Sequence, residues 1–281
     1  MELWYTEKQT INHGITTKVV NCLHHEQTEF QTIDLLETLE FGRMLVLDGM
    51  VMMTEADEFV YHEMIAHVPL SAHKNPNNVL VIGGGDGGVV REILRHGEKI
   101  QRVDLVEVDK RVIDLSKKYF PEVTSGLSDH RVNIHVQDGA QYIANTKIKY
   151  DVIIVDSTEP VGAATPLFQL DFYRAVFNAL SPTGIMVAQT DTPWFKPNLV
   201  RKLYGTISSL FPISRLYTAA IPTYPSGLWS FTLGSKQYDP LYFEALPELK
   251  TKYYCMEVHR AAFNLPAFVQ KLIKKKDELN E

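Results

Sequence analysis

The sequence has few cysteines, no long apolar run and no excess of basic residues. Only Cys22 and Cys255 occur among 281 residues, which excludes a disulfide-rich framework and favours a reducing compartment such as the cytoplasm. The apolar stretches are short and interrupted, so we expect no transmembrane helix, and residues 1–10 lack the pattern of a signal peptide. A net charge of −6 argues against a nucleic acid partner.

Common catalytic and metal-binding motifs are also missing. The chain has no Gly-x-Ser-x-Gly elbow and no Walker A sequence. His62, Glu63 and His67 resemble H-E-x-x-H with one residue too many, so the two imidazoles do not share a helix face. His24 and His25 are neighbours in a predicted strand and point to opposite faces. We therefore expect no metal ion.

Two parts of the chain have different patterns. Residues 1 to about 54 contain short apolar or β-branched segments at 15–22, 29–36 and 44–47, with a hairpin turn at Asp48-Gly49. A helix follows at 56–68. We therefore predict an N-terminal β-strand domain at 1–55 and a Rossmann-like catalytic domain at 56–281.

The second part alternates strands with helices, which is typical of a doubly wound parallel sheet. Strands are predicted at 79–82, 103–108, 132–137, 152–156 and 185–189, and helices near 88–96, 110–119, 139–146, 168–180 and 197–210.

The end of the predicted sheet differs from that of a dehydrogenase. Two further strands, at 214–221 and 228–234, flank Pro222–Gly227, and the short link favours an antiparallel pair. A sheet closed by such a pair is more typical of a methyltransferase. Residues 259–276 have the spacing of one amphipathic helix.

The glycine turn Gly83–Gly88 is the most informative segment. It lies between the apolar strand Val79–Ile82 and a predicted helix, which is the pattern of a nucleotide-binding corner. Asp86 puts a negative charge where a dinucleotide enzyme holds an anionic pyrophosphate. The turn therefore favours a cationic ligand. The alternative is that Asp86 only caps the following helix.

An acidic residue follows each of four successive predicted strands, at the edge where open α/β sheets bind ligands. These residues are Asp86, Glu107, Asp138 and Asp156, and Glu159 follows in the next loop. Glu107 has nearly the spacing of an acid that binds ribose hydroxyls. The alternative to ligand binding at Asp138 is that Asp138-Gly139 only forms a turn and caps the following helix. Asp156 ends an apolar strand, so we expect partial burial and either a cationic partner or a shifted pKa.

With these acids placed, the chain resembles the polyamine aminopropyltransferase family along nearly its whole length. Each matching segment is weak alone, but together and in this order they are specific. The segments are Leu3–Glu7, Thr28–Gln31, Leu47–Gly49, Asp57–Met64, Gly83–Gly88, Val106–Asp109, Asp138-Gly139, Val155–Pro160, Gln189 and Pro222–Gly227.

The resemblance implies an α/β fold, a Rossmann-like, methyltransferase-type doubly wound sheet with a small N-terminal β domain. It implies transfer of an aminopropyl group from decarboxylated S-adenosylmethionine to putrescine, which gives spermidine and 5′-methylthioadenosine. Agmatine, cadaverine or spermidine are alternative acceptors. It also implies a cytoplasmic homodimer or homotetramer without metal or cofactor, in which decarboxylated S-adenosylmethionine is a co-substrate.

The resemblance also implies roles for individual residues. The donor site would comprise Gln31, Asp86, Glu107, Asp138, Gly139 and Ala163, and the polyamine site Tyr61, His62, Asp86, Asp156, Glu159, Gln189 and Tyr224. Asp156 would be the catalytic base, helped by Tyr61. Ala163 replaces a proline usual in the family, and Glu159 stands where many relatives have aspartate.

Three other functions compete with this interpretation. A small-molecule methyltransferase would need room for the carboxylate of S-adenosylmethionine, which Asp86 would repel. A NAD-dependent dehydrogenase would place Asp86 beside a pyrophosphate, which is electrostatically unfavourable because both groups are negatively charged. A non-catalytic polyamine sensor would keep the acidic channel but would not need Asp156 together with Tyr61.

Overall fold

The computed structural model describes residues 2–158, 162–243 and 249–274. The first of its two sheets has five antiparallel strands in sequential order: β1 (Leu3–Thr10), β2 (His13–Gln27), β3 (Thr32–Thr38), β4 (Arg43–Leu47) and β5 (Met50–Thr54). Leu47 pairs with Met50 across Asp48-Gly49, where both residues have positive φ, 49° and 82°. Positive φ at both central positions is required in a type I′ hairpin turn, so the predicted hairpin is confirmed.

The second sheet has seven strands in the order β11-β12-β10-β9-β6-β7-β8. Its five parallel strands alternate with helices, and β12 runs antiparallel to both β10 and β11. This arrangement confirms the methyltransferase-type doubly wound sheet. The strands are β6 (Asn78–Gly83), β7 (Arg102–Glu107), β8 (Val132–Val136), β9 (Tyr150–Asp156), β10 (Leu180–Gln189), β11 (Ile213–Ala220) and β12 (Leu228–Ser235).

Helices cover both faces of this sheet, as the apolar parallel strands require. Met64 and Ile65 of α1 pack on one face, and Phe172 and Ile207 of α5 and α6 pack on the other. The helices are α1 (Glu58–Ala72), α2 (Gly88–Leu94), α3 (Lys110–Tyr119), α4 (Gly139–Asn145), α5 (Leu170–Ala179), α6 (Pro197–Leu210), α7 (Met256–Ala262) and α8 (Ala267–Ile273). Short 3-10 helices occupy 97–99, 123–128 and 162–168.

The prediction of one C-terminal helix at 259–276 was wrong. Helix α7 ends at Ala262, and α8 begins at Ala267 after Pro266. Proline lacks an N–H and disfavours a helical conformation at the residue before it, so the periodic pattern is broken there. Residues 275 and 276 lie outside the described part of the chain.

The predicted boundary between domains at 55/56 stays a prediction. The first sheet ends at Thr54 and α1 begins at Glu58. Among the described residues, no helix has the length and apolar character needed to span a bilayer.

Candidate active site

A cleft opens at the carboxyl ends of β6, β7 and β9, where the strand order reverses, and β4 and β5 of the first sheet form its opposite wall. Its empty volume is about 1330 Å³ including open solvent at the mouth. Ten residues predicted from the sequence line it: Gln31, Tyr61, His62, Asp86, Glu107, Asp138, Gly139, Asp156, Gln189 and Tyr224. Glu159 and the Ala163 side chain lie outside the described part of the structure.

The glycine turn brings the acids of neighbouring strands together. Gly83 has a φ of 82°, and a Cβ there would lie 2.0 Å from the backbone oxygen of Asp156. A Cβ on Gly85 would lie 2.8 Å from Cγ of Glu107. Because glycine has no side chain and adopts positive φ freely, the turn packs directly against both residues.

Asp156 ends β9 beside Tyr61 of α1. The Tyr61 hydroxyl donates a hydrogen bond of 2.6 Å to Asp156 Oδ1. The other oxygen, Oδ2, is buried and has no hydrogen-bond partner among the described residues. Burial, followed by the charge of Asp86, raises the pKa of Asp156 to about 7. Burial and the same carboxylate raise the pKa of Tyr61, so Tyr61 is the donor and Asp156 is an acceptor suited to proton transfer near neutral pH.

Asp86 lies in the glycine turn and contacts both a helix start and a histidine. The Gly88 N–H donates to Asp86 Oδ1 at 2.7 Å, so Asp86 bonds to the first residue of α2, although the N-cap position itself is occupied by Gly87. His62 Nε2 lies 3.2 Å from the same oxygen. Burial opposes the charge of Asp86, but the contact with His62 outweighs it and lowers the pKa. Asp86 is therefore ionised, and it faces the cleft as well.

His62, Asp86 and Asp156 place ligand-type atoms within 4.8 Å of one another, close enough for one cation. His62 Nδ1 lies 2.5 Å from a Glu58 oxygen and Nε2 faces Asp86, so both ring nitrogens have carboxylate partners. A ring protonated on both nitrogens has no lone pair for a metal. The cluster fits an ammonium group better than a divalent metal ion, and the absence of metal stays a prediction.

The far end of the cleft has polar groups suited to a nucleoside. Glu107 is buried and accepts from the Asp109 N–H at 2.9 Å, and burial raises its pKa to about 7. Gln31 Nε2 donates to Asp109 Oδ2 at 3.2 Å, which positions the amide at the cleft wall. Asp138 accepts from the Gln141 N–H at 2.8 Å, so it caps α4 as its alternative predicted, and it also lines the cleft.

Gln189 and Tyr224 face the cleft, but their polar groups already have protein partners. Gln189 Nε2 donates to the Ser157 carbonyl and Oε1 accepts from the Asp191 N–H, both at 2.9 Å. The Tyr224 hydroxyl donates to the Met52 carbonyl at 2.5 Å. Gln189 therefore holds the backbone that follows Asp156, while Tyr224 contributes its ring.

Sequence reasoning missed the apolar wall of the cleft. Leu45, Leu47 and Met52 of the first sheet line it, as does Trp229 of β12, whose Nε1 is buried without a hydrogen-bond partner among the described residues. No local motif marks these residues, because they meet the acids through contacts between distant parts of the chain. The Tyr224–Met52 bond, for example, spans 172 positions.

The sequence matches two known family descriptions. The Spermine/spermidine synthase domain matches residues 58–244, and the Spermidine synthase tetramerisation domain matches residues 3–55.

Full-length relatives and solved structures are similar to this chain. The polyamine aminopropyltransferase of Bacillus mycoides (strain KBAB4) is 58% identical over 276 residues, covering 98% of this chain and 100% of that protein. That of Bacillus subtilis (strain 168) is 58% identical over 275 residues, covering 97% and 99%.

Two solved structures have nearly the same fold. A spermidine synthase in complex with the transition state analogue AdoDATO is 42% identical with a TM-score of 0.94, covering 96% of this chain and 94% of that one. The spermidine synthase from Thermotoga maritima is 41% identical with a TM-score of 0.91 and the same coverages, 96% and 94%.

Proposed function

This chain belongs to the spermine/spermidine synthase family and is an aminopropyltransferase, and from that premise we propose that it transfers the aminopropyl group of decarboxylated S-adenosylmethionine to putrescine. The products are spermidine and 5′-methylthioadenosine. The observation that carries the proposal is the buried Oδ2 of Asp156, which has no hydrogen-bond partner in the described part of the chain and lies next to Tyr61 and near Asp86. An amine N–H supplies the partner that this oxygen lacks.

The reaction needs a neutral amine, because an ammonium has no lone pair. A free alkylamine is mostly protonated at neutral pH, as lysine is. Asp156 accepts the proton through Oδ2, and its pKa of about 7 makes it a better base than an ordinary carboxylate. The neighbouring sulfonium charge of the donor lowers the pKa of the amine, which reduces the mismatch further.

The neutral nitrogen attacks the methylene next to the donor's sulfur, and the sulfur leaves as a neutral thioether. No general acid is needed on that side. Most of the acceleration comes from holding the two substrates in line within the cleft. Tyr61 keeps its proton and fixes the orientation of Asp156 through Oδ1.

At the donor end we assign the ribose hydroxyls to Glu107 and the adenine amino group to Asp138. Both residues line the same end of the cleft, and Gly139 follows Asp138 at the start of α4. Gln31 lies beside Glu107 through Asp109. Glu159 and Ala163 belong to the same proposal by resemblance; Glu159 and the side chain of Ala163 lie outside the described part of the structure.

Asp86 selects the decarboxylated donor in this proposal. It binds the aminopropyl ammonium, whereas intact S-adenosylmethionine carries a carboxylate on the same carbon. Like charges in a desolvated site cost several kcal/mol. Discrimination therefore results from repulsion of the wrong donor as well as attraction of the right one.

The test supplies each donor separately with putrescine and identifies products by mass spectrometry. We expect spermidine and 5′-methylthioadenosine from the decarboxylated donor and no S-adenosylhomocysteine from the intact one. Methyl transfer without aminopropyl transfer would overturn the proposal. Initial rates with cadaverine, agmatine and spermidine then test whether putrescine is the preferred acceptor.

We further propose a homodimer or homotetramer. The match of residues 3–55 to a tetramerisation domain supports it, as do Leu3, Trp4 and Val20, which are large apolar side chains at least half exposed on β1 and β2. Light scattering after gel filtration tests the oligomeric state. A cytoplasmic location without a cofactor completes the proposal, and the free thiols of Cys22 and Cys255 are consistent with that compartment.

A further inference from the structure

A largely buried series of alternating charges leads from the cleft into the space between α1 and α2. His62 connects Asp86 to Glu58, with Nε2 3.2 Å from Asp86 Oδ1 and Nδ1 2.5 Å from Glu58 Oε2. Arg91 of α2 then binds both oxygens of Glu58, at 2.9 and 2.8 Å, and donates from Nε to Glu92 at 2.7 Å. We call these five residues the charged series.

The geometry fixes the protonation state of His62. Each ring nitrogen faces a carboxylate, so a neutral ring would point a lone pair at one of two anions. The ring is buried and packs directly against Gly88, where a Cβ would lie 2.2 Å from its Cε1. Burial disfavours the charge, but Asp86 and then Glu58 outweigh burial and raise the pKa of His62 to about 10.

His62 therefore supplies the positive charge that Asp86 would otherwise lack in the empty site. An unpaired buried carboxylate is expensive and tends to become protonated. Among the described residues, Gly88 and His62 both contact Asp86 through Oδ1, and a ligand has Oδ2 to bind.

We propose that Glu58 is a positioning residue that holds His62 as an imidazolium counter-ion of Asp86 in the empty site, with Arg91 fixing the orientation of Glu58. When the donor binds, its ammonium takes over this role while His62 loses its Nε2 proton to solvent. The Nδ1 proton stays in the bond to Glu58. The neutral ring then offers Nε2 as an acceptor to the arriving ammonium, so each carboxylate keeps one cationic or N–H partner. Arg91 neutralises Glu58 throughout.

The direction of the proton follows from the added charge. An ammonium on the other side of Asp86 lies near the imidazolium, and at about 4 Å such repulsion raises the dissociation constant of the ring proton roughly a thousandfold. This step rests on the proposed function only in requiring a ligand with an ammonium group.

Other titratable groups face His62, and protons released by them must be distinguished from the proton released by His62. Asp156 of β9 and Tyr61 of α1 lie on the cleft side, and Glu107 lies beyond the glycine turn. The pKa values of Asp156 and Glu107 are about 7, so both are already ionised at about pH 8.5, and burial raises that of Tyr61. Proton release at that pH therefore reports on His62.

The first experiment measures protons released on ligand binding. Decarboxylated S-adenosylmethionine is titrated calorimetrically at about pH 8.5 in two buffers of different ionisation enthalpy. We expect release approaching one proton, and none with 5′-methylthioadenosine, which has no ammonium. His62→Gln should bind the donor without release, because a glutamine side chain has no titrating proton.

The second experiment follows the His62 ring in the ligand-free protein by NMR, with His62→Gln for assignment. In the parent the ring should stay protonated from about pH 6 to 9. Glu58→Gln removes one flanking anion, so the ring should begin to titrate in that range. Arg91→Gln removes a cation and should shift the titration the opposite way.

Glu63→Gln is the matched control for Glu58→Gln. Glu63 is on the same helix and is also buried, but it accepts from the backbone N–H groups of Lys252, Tyr253 and Tyr254. This variant should lose stability while His62 stays protonated as in the parent. A purely structural role for Glu58 would instead lower stability in both variants and move the His62 titration in neither.

The outcomes distinguish this inference from the proposed function. A His62 ring that titrates below about pH 8 in the free parent would overturn the counter-ion role. Donor binding without proton release would overturn the exchange alone. Failure of the parent to bind the donor at all would overturn the exchange together with the proposed function.

Discussion

Replacement of Asp156 by asparagine separates the chemistry of the base from the energetic cost of burying it. The asparagine keeps an oxygen to accept from Tyr61, whose bond to Oδ1 is 2.6 Å long. It places an NH₂ group at the position of Oδ2, so the attacking amine meets a donor instead of an acceptor. A lost general base typically reduces turnover by about 10²–10⁴-fold, and we expect kcat to fall within that range.

The same substitution should stabilise the empty protein at alkaline pH. Burial raises the pKa of Asp156 from 3.8 to about 7, so ionisation in the folded state costs about 4 kcal/mol above pH 7. The NH₂ group of asparagine would lack a hydrogen-bond partner there, which costs roughly 1–3 kcal/mol and offsets part of this gain. The net gain of about 1–3 kcal/mol corresponds to a rise in Tm of roughly 2–5 °C.

The sign of the pH dependence follows from the raised pKa. In the unfolded chain Asp156 ionises near 3.8, whereas in the folded protein it ionises near 7. The penalty therefore appears as pH rises through this window and is complete above it. The stability difference should favour Asp156→Asn most above about pH 7, cross zero as pH falls between about 6 and 4.5, and favour the parent near pH 4, where only the cost of the asparagine NH₂ group remains.

Thermal unfolding across that pH range and single-turnover kinetics provide the assay. Asp151→Asn is the matched control, because Asp151 lies on the same strand but accepts from the backbone N–H groups of Asn77 and Asn78, each at 3.0 Å. It should lose stability at every pH and keep turnover. Unchanged turnover in Asp156→Asn, or lower stability than the parent at about pH 8, would refute the reasoning.

Three further predictions concern other residues that line the cleft. Tyr61→Phe removes the hydrogen bond that lowers the pKa of Asp156, so the acid limb of the kcat/KM profile should move to higher pH; a shift to lower pH would contradict the contact. Glu107→Gln should weaken binding of 5′-methylthioadenosine by about 10–100-fold in calorimetry, because a charged acceptor for the ribose is lost, and unchanged affinity would remove Glu107 from the donor site. Asp86→Asn should reduce the preference for the decarboxylated donor over intact S-adenosylmethionine, measured as the ratio of the two Kd values, by about 10-fold or more; an unchanged ratio would show that Asp86 does not discriminate.

Much of the fold could be predicted because the second sheet is buried on both faces. Its strands are short continuous apolar runs, and the predicted strand at 79–82 lies within the observed β6, Asn78–Gly83. The C-terminal region was harder, since helical periodicity continued across Pro266 and only the proline signalled the break. Glu29–Gln31 likewise form a turn stabilised by Thr28 instead of the start of β3.

The candidate site was predictable where chemistry and chain position coincide. Acids that follow parallel strands converge at one sheet edge, which is why Asp86, Glu107 and Asp156 meet in the cleft. The role of Glu58 had a local signal that the sequence reasoning did not use, because Glu58 and His62 are four residues apart on one helix. No local sequence signal marked the role of Arg91, because Arg91 contacts Glu58 from another helix.

The sequence by itself determined the class of sheet, the glycine turn and the identity of the acids, because these depend on periodicity and residue type within short segments. Tertiary structure alone decided how those groups are charged. The pKa values of Asp156, Glu107 and His62 depend on burial and on partners from other elements, which a linear pattern does not specify. Desolvation and charge contacts act through space, so they exist only once the chain has folded.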